Sequence, residues 1–206
     1  MKKIIWLAIF TLSVILSYGQ NFSMQSTNSG ISLKASAGAG GWKSNEFLVN
    51  SKLSASYNLE IGYGFNENLE VFGAGSVLRV TKVDFFELPY SVQQFDLGAR
   101  YTFGSTLNPL RFYAGASLSV ISSDQSIEED DWFFGEFVGT YELRGIGGTL
   151  SVGGKYHLSL PVALTFESSM SVGNLNNNRY DGEAIPEFDF MSYKFKVGAV
   201  IYFNQL

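Results

Sequence analysis

From Ser192 to Phe203 the chain alternates strictly. Tyr193, Phe195, Val197, Ala199, Ile201 and Phe203 form one row, and Ser192, Lys194, Lys196 and Gly198 form the other. A period of two with unlike rows predicts a β-strand with one apolar and one polar face. The pattern recurs along the chain. Ile31, Leu33, Ala35, Ala37 and Ala39 alternate with Ser32, Lys34, Ser36, Gly38 and Gly40, and Leu53 to Phe65 alternates with Ser54, Ser56, Asn58, Glu60, Gly62 and Gly64. Further on, Phe95, Leu97, Ala99, Tyr101 and Phe103 oppose Gln94, Asp96, Gly98, Arg100 and Thr102, and Leu110 to Val120 opposes Arg111, Tyr113, Gly115, Ser117 and Ser119. Ile146 to Tyr156 opposes Gly147, Thr149, Ser151, Gly153, Lys155 and His157, and Val162 to Val172 opposes Ala163, Thr165, Glu167, Ser169 and Ser171. A strand over about Leu69 to Val80 carries apolar residues at both parities; Phe72, Ala74, Leu78 and Val80 are expected as its outer row. Together these predict eight strands and no helix in the body of the chain.

The connections alternate in length. Asn66 to Asn68, Gly104 to Pro109 and Ser159 to Pro161 are tight; Trp42 to Lys52, Thr81 to Ser91, Ser122 to Arg144 and Asn174 to Glu187 are long. Short turns on one side and long loops on the other describe an antiparallel up-and-down barrel in an outer membrane, with periplasmic turns and extracellular loops. Both termini are then expected in the periplasm. The last strand closes the barrel between the first and the seventh.

Alternation alone leaves open which row faces inward, because a lipocalin-like soluble barrel alternates too. The polar rows here are mostly Ser, Thr, Asn and Gly, which suit a crowded interior better than a watered surface. The aromatics gather at strand ends. Tyr63, Phe65, Tyr101, Phe103, Phe112, Tyr156 and Phe203 lie beside the short turns, and Trp42, Phe86, Tyr90, Trp132, Phe188 and Tyr193 near the long loops. Two such belts match the interfacial girdles of a membrane barrel. Only 16% of residues are charged, against about 25% in a soluble domain. An all-β, eight-stranded transmembrane barrel is therefore expected over residues 31–206.

Before it stand two other segments. Lys2 and Lys3, the apolar run Ile4 to Leu16 and Ser17-Tyr18-Gly19 describe a signal peptide over residues 1–19, too short for a spanning helix. Residues 20–30 form a polar lead. The formal net charge of −5 becomes two units more negative when Lys2 and Lys3 leave with the signal, which argues against a nucleic-acid partner. There is no cysteine, which excludes disulfides and thiolate metal sites.

The chain after Gly30 resembles the small eight-stranded outer-membrane barrels of the OmpA/OmpX-like group, also described as the porin family or outer membrane protein beta-barrel domain. The resemblance rests on Gly-Gly-Thr-Leu-Ser-Val-Gly-Gly-Lys-Tyr from Gly147 to Tyr156 and on the last strand. It implies outer-membrane lipid and lipopolysaccharide as surroundings, a monomer, and recognition of the last strand by the insertion machinery. That machinery reads a final aromatic in such proteins. Here Phe203 is the candidate, displaced by Asn204-Gln205-Leu206.

If the polar rows face inward, the lumen holds Lys34, Glu60, Asp96, Arg100, Lys155, Glu167, Lys194 and Lys196. Unpaired buried charge costs several kcal/mol, so these are expected to form a plugging network, with Glu167 paired to Lys194 or Lys196. A narrow anion-preferring channel is the alternative. His157, the one histidine, near Ser151 or Ser159, is where an enzyme would be sought; outer-membrane lipid A deacylases use a histidine and a serine at the outer leaflet. The predicted orientation puts His157 beside a periplasmic turn, so no catalytic residue is assigned, nor any cofactor or metal ligand. The long loop carries Asp124, Glu128, Glu129, Asp130, Asp131, Glu136 and Glu142, read as a solvated acidic face. Trp132, Phe133, Phe134 and Phe137 within it are read first as continuations of the fifth and sixth strands beyond the membrane. A loop binding surface for an unknown partner is the second reading.

Overall fold

The computed structural model describes residues 27–44, 53–80, 89–131 and 135–203, with the backbone alone for 127–131 and 135–138. The expected signal peptide lies outside them, as do residues 20–26 of the lead, Phe86, Trp132, Phe133 and Phe134. Ten strands follow in order: β1 (Gly30–Ser44), β2 (Ser54–Gly64), β3 (Leu69–Val80), β4 (Tyr90–Thr102), β5 (Leu110–Asp131), β6 (Gly135–Ser159), β7 (Val162–Leu175), β8 (Asn178–Tyr180), β9 (Glu183–Ile185) and β10 (Phe188–Tyr202). Eight close into an antiparallel barrel in which each strand pairs with its chain neighbours. β10 is the closing strand. It pairs with β1 from Ser32↔Tyr202 to Ser44↔Phe190, and with β7 from Phe188↔Leu175 to Ile201↔Val162. The short β8 and β9 form a hairpin on the flank of β6, between β7 and β10.

Following partners round the barrel from Lys34 through Glu60, Ala74, Asp96, Ser119, Gly147, Gly173 and Phe190 returns to Ser44, ten residues along β1. With ordinary strand spacing and rise, that stagger gives a tilt of about 40° and a backbone radius of about 8 Å. An interior of that width is filled by side chains.

The short turns hold by local chemistry. Asn66 Oδ1 accepts from the backbone N–H of Asn68 and of Leu69, both at 2.9 Å, which closes the β2–β3 turn. Gly104 leads out of β4 at φ 91°, a backbone conformation that only glycine adopts freely. The end of the barrel with these turns is called the turn end below, and the other the loop end.

The outer wall is apolar. Leu97, Leu118 and Leu150 are 71%, 77% and 70% exposed, a surface that water would not tolerate over so wide an area. Tyr63, Phe65, Tyr101, Phe103, Phe112 and Phe203 stand outward at the turn end. The belt expected at the loop end is different. Tyr193 faces out, but Trp42, Tyr90 and Phe188 are buried. Trp42, Tyr90 and Phe190 pack with Leu78, Val80, Val92, Ile121, Leu143 and Leu175 inside the barrel as an apolar cap, and Trp42 Nε1 donates to Tyr90 Oη at 2.9 Å. On the outside at this level Lys43, Arg79, Gln93, Asp124, Arg144 and Asp189 are exposed. The barrel therefore inverts along its axis: apolar outside and polar inside over most of its length, polar outside and apolar inside at the loop end.

This inversion corrects the reading of β3. Phe72, Leu78 and Val80 face inward and Ala74 shares their row, while Leu69, Val71, Gly73, Gly75, Val77 and Arg79 form the outer row. Leu78 and Val80 belong to the cap, and Glu70 fixes the parity at the other end, since an acidic group facing lipid is destabilising. β5 and β6 run on as one ladder to Asp131↔Gly135, past Ser91↔Asp124 where β4 stops pairing with β5. Much of the long fifth-to-sixth connection is thus strand.

Candidate functional site: the barrel lumen

Alternation on eight strands delivers the polar side chains to a common interior. At its middle, Lys34 (β1) bonds Glu60 (β2) and Glu167 (β7), each at 2.8 Å. Arg100 (β4) grips Glu60 through both terminal nitrogens at 2.8 and 2.9 Å. Its guanidinium lies 4.5 Å from the Phe72 ring centre and 4.7 Å from that of Tyr113, stacking that suits a delocalised, weakly hydrated cation. Lys196 (β10) meets Glu167 at 2.8 Å, and Tyr113 Oη donates to the same carboxylate at 2.8 Å. Gly153 lies where a Cβ would come within 2.6 Å of the Tyr113 ring, so the glycine makes room for it.

Towards the turn end, Lys155 (β6) pairs with Glu70 (β3) at 2.7 Å, and Ser32 Oγ donates to the other oxygen of Glu70 at 2.8 Å. Asn28, fully buried ahead of β1, accepts from Lys155 Nζ at 3.3 Å and from Tyr202 Oη at 3.0 Å. Its amide donates to the Glu67 carbonyl oxygen at 2.9 Å. The end of the lead thus fills the turn-end mouth.

Towards the loop end the lumen becomes uncharged in all but two positions. Gln94 Nε2 donates to Asp96 at 2.8 Å and to Thr149 and Ser171 at 3.1 Å each, and Gln94 Oε1 accepts from Lys194 at 2.8 Å. Lys194 also donates to Ser76 at 2.7 Å. The space between this layer and the ionic one is a cavity of about 10 Å³ lined by Glu60, Gln94, Asp96, Glu167, Lys194 and Lys196 among others, the scale of a single water site. The apolar cap lies beyond.

Of the lumen residues expected from sequence, Lys34, Glu60, Arg100, Glu167 and Lys196 meet in one cluster, and Lys155 joins it through Glu70, whose carboxylate is 3.5 Å from Arg100. Lys194 and Asp96 sit apart with hydroxyl and amide partners. Of the two lysines weighed for Glu167, Lys196 makes the bond. Sequence reasoning missed Glu70, Tyr113, Gln94 and Asn28. Glu70 was hidden by the β3 parity; the signal was the acid itself, in a row that otherwise looked lipid-facing. His157 is buried at the turn end, stacked on Tyr202 with ring centres 5.9 Å apart. Phe203 is exposed beside the first strand, its N–H donating to the Ile31 oxygen at 2.9 Å. Trp132, Phe133 and Phe134 lie outside the described residues, and only the backbone of Phe137 is described. No group of three or more acidic, histidine or cysteine side chains suited to a metal occurs among the described residues.

A closed eight-stranded barrel with an apolar wall and an ion-paired interior has the architecture of small outer-membrane β-barrel proteins. One solved structure supports this fold, and others are similar to a lesser degree. Neisserial surface protein A (NspA) superposes with a TM-score of 0.62 at 19% identity, covering 85% of this chain and 98% of that one. Ail, the attachment invasion locus protein of Yersinia pestis, gives 0.49 at 12% identity, covering 84% and 99%. The Escherichia coli outer membrane protease OmpT gives 0.42 at 12% identity, covering 84% and 96%. At 19% identity the likeness to NspA is one of fold. No protein-family model matches the chain, and no curated protein matches it in sequence.

Proposed function

We propose that this protein resides in the outer membrane as a sealed, non-enzymatic barrel, with its turn end in the periplasm. Its role is in envelope structure or in contacts made by the loop-end strands. The observation that carries the reading is the filling of the lumen in series: Asn28 in the mouth, the ionic cluster, the hydroxyl layer and the apolar cap. Each is an independent barrier to ions. The wall takes outer-membrane lipid, and lipopolysaccharide at the level where Arg79 and Arg144 emerge. β10 with Phe203 presents the insertion signal. His157 is buried against Tyr202 at the turn end, which in the proposed orientation lies away from the outer leaflet. The loop partner is to be sought on the extended β5–β6 hairpin and its β8–β9 flank.

The test is conductance of the purified protein in planar bilayers. No stable steps are expected at neutral pH. Reproducible single-channel steps would refute the sealed-barrel reading and favour a narrow solute channel.

A further inference from the structure

Among the described residues, ten buried side-chain polar atoms lack a hydrogen-bond partner, and five of them belong to three residues at the turn end. They are Thr102 Oγ1, Arg111 Nε and Nη1, and both ring nitrogens of His157. The three residues are 0%, 1% and 2% exposed. They come from consecutive strands. Thr102 of β4 is next to Tyr113 of β5, Arg111 of β5 is paired with Lys155 of β6, and the His157 N–H donates to the Pro109 oxygen at 2.8 Å.

The neighbouring acid does not satisfy them. Glu67 accepts from the Thr27 hydroxyl at 2.7 Å through one oxygen and from the Asn28 N–H at 3.1 Å through the other, which leaves it 3.7 Å from Arg111 Nη1. Arg111 Nη2 donates to the Glu67 carbonyl oxygen at 2.7 Å. What remains unmet is mainly donor capacity: three guanidinium N–H groups on two nitrogens, a hydroxyl and an imidazole N–H. Charge points the same way. Lys34, Arg100, Arg111, Lys155, Lys194 and Lys196 line the lumen and mouth against Glu60, Glu67, Glu70, Asp96 and Glu167, one positive charge in excess. Water supplies donors as well as acceptors, whereas an oxyanion supplies acceptors, and a negative charge that the lumen and mouth as a whole lack.

We propose that this corner of the mouth is an oxyanion site that takes a phosphate group. Arg111 supplies the charge, and Thr102 and His157 donate from the strands on either side. Donors drawn from three adjacent strands suit a tetrahedral ion, whose oxygens point in several directions, better than a planar carboxylate. Access requires the Glu67 contacts with Thr27 and Asn28 to part, while the ionic cluster and the cap beyond keep the rest of the lumen closed. The group can come from free phosphate or from a phospholipid headgroup at the rim of the mouth.

The test uses the full processed chain folded in an uncharged glycoside detergent. Its unfolding temperature is followed against sodium phosphate and against sodium chloride at equal ionic strength, with phosphate added both during and after refolding. A saturable stabilisation by phosphate over chloride is expected. Arg111→Gln should weaken the apparent affinity about tenfold or more and Thr102→Val about threefold, on the scale of lost charged and neutral hydrogen bonds. Lys43→Gln, exposed at the loop end, should leave it unchanged. A parallel arm compares bilayers with and without phosphatidylglycerol; an Arg111-dependent shift only there assigns the headgroup as the source. If Arg111→Gln does not fold, Thr102→Val and His157→Phe carry the comparison. Equal responses of the wild type and these variants, to free phosphate and to phosphatidylglycerol alike, would overturn the proposal.

Discussion

Replacing Glu167 by glutamine tests the ionic cluster at its most connected member. The carboxylate receives Lys34 and Tyr113 on one oxygen, each at 2.8 Å, and Lys196 on the other at 2.8 Å, with Arg100 3.7 Å away. Glutamine keeps the shape but turns one acceptor oxygen into an NH₂ donor, so one side of the group must face a cation with N–H against N–H. Lys34 and Arg100 keep Glu60. Among the described residues Lys196 is ion-paired with Glu167 alone and is 8% exposed, so it becomes the stranded charge. Breaking a buried pair in this way costs about 3–5 kcal/mol. The assay is urea unfolding in lipid vesicles, followed by Trp42 fluorescence and by heat-modifiable gel mobility. Removing both partners, Glu167→Gln with Lys196→Met, should cost less than Glu167→Gln alone, with a coupling of about 1–3 kcal/mol. A single-variant cost below about 1 kcal/mol, or additive effects, would mean that the cluster is hydrated and the lumen open to water, which refutes the packing argument and the sealed barrel with it.

Three further outcomes follow from the wall, the cap and the projecting hairpin. Leu97→Arg, on the lipid-facing wall, should destabilise the folded protein in bilayers by about 2–4 kcal/mol in the same urea assay, whereas Gln93→Arg on the same outer row at the loop end should be near neutral. Leu78→Ala should cost about 2–5 kcal/mol, because its side chain is fully buried in the cap; a loss as small as that of Val77→Ala would return Leu78 to the lipid side. Deleting Glu128 to Phe137 should leave insertion intact, seen as unchanged heat-modifiable mobility, because the barrel ladders of β4 with β5 and of β6 with β7 end before that segment.

The strands, their order and the closing role of β10 were legible because period-two alternation survives wherever one row meets lipid and the other a polar lumen. Legibility failed where that contrast reverses. On β3 the apolar residues Val71 and Val77 face out while Phe72, Leu78 and Val80 face in, so hydropathy alone votes both ways. Trp42 and Tyr90 misled for a related reason: aromatics near a loop suggest a girdle, and nothing local in sequence separates a ring at the headgroups from one in an internal cap. The ionic residues were visible as a set but not as pairs. Partners such as Lys34 and Glu167 stand 133 residues apart, and the stagger that joins them is a property of the whole closed sheet.

The inversion also fixes what a charge means at each height. Arg79 and Arg100 both lie on barrel strands, yet the first stands exposed beside the apolar cap and the second is buried against Glu60. An arginine outside the wall is stable only where the exterior is wet, and one inside needs a carboxylate within reach. Arg79, Lys43 and Arg144 therefore place the upper edge of the lipid below the level of Leu78, and the apolar cap above it does for the loop end what a soluble core does for a globular domain. The strands beyond that edge are held by their own interior rather than by the membrane. Any partner proposed for this end would meet strands that are already paired, so its binding need not order them.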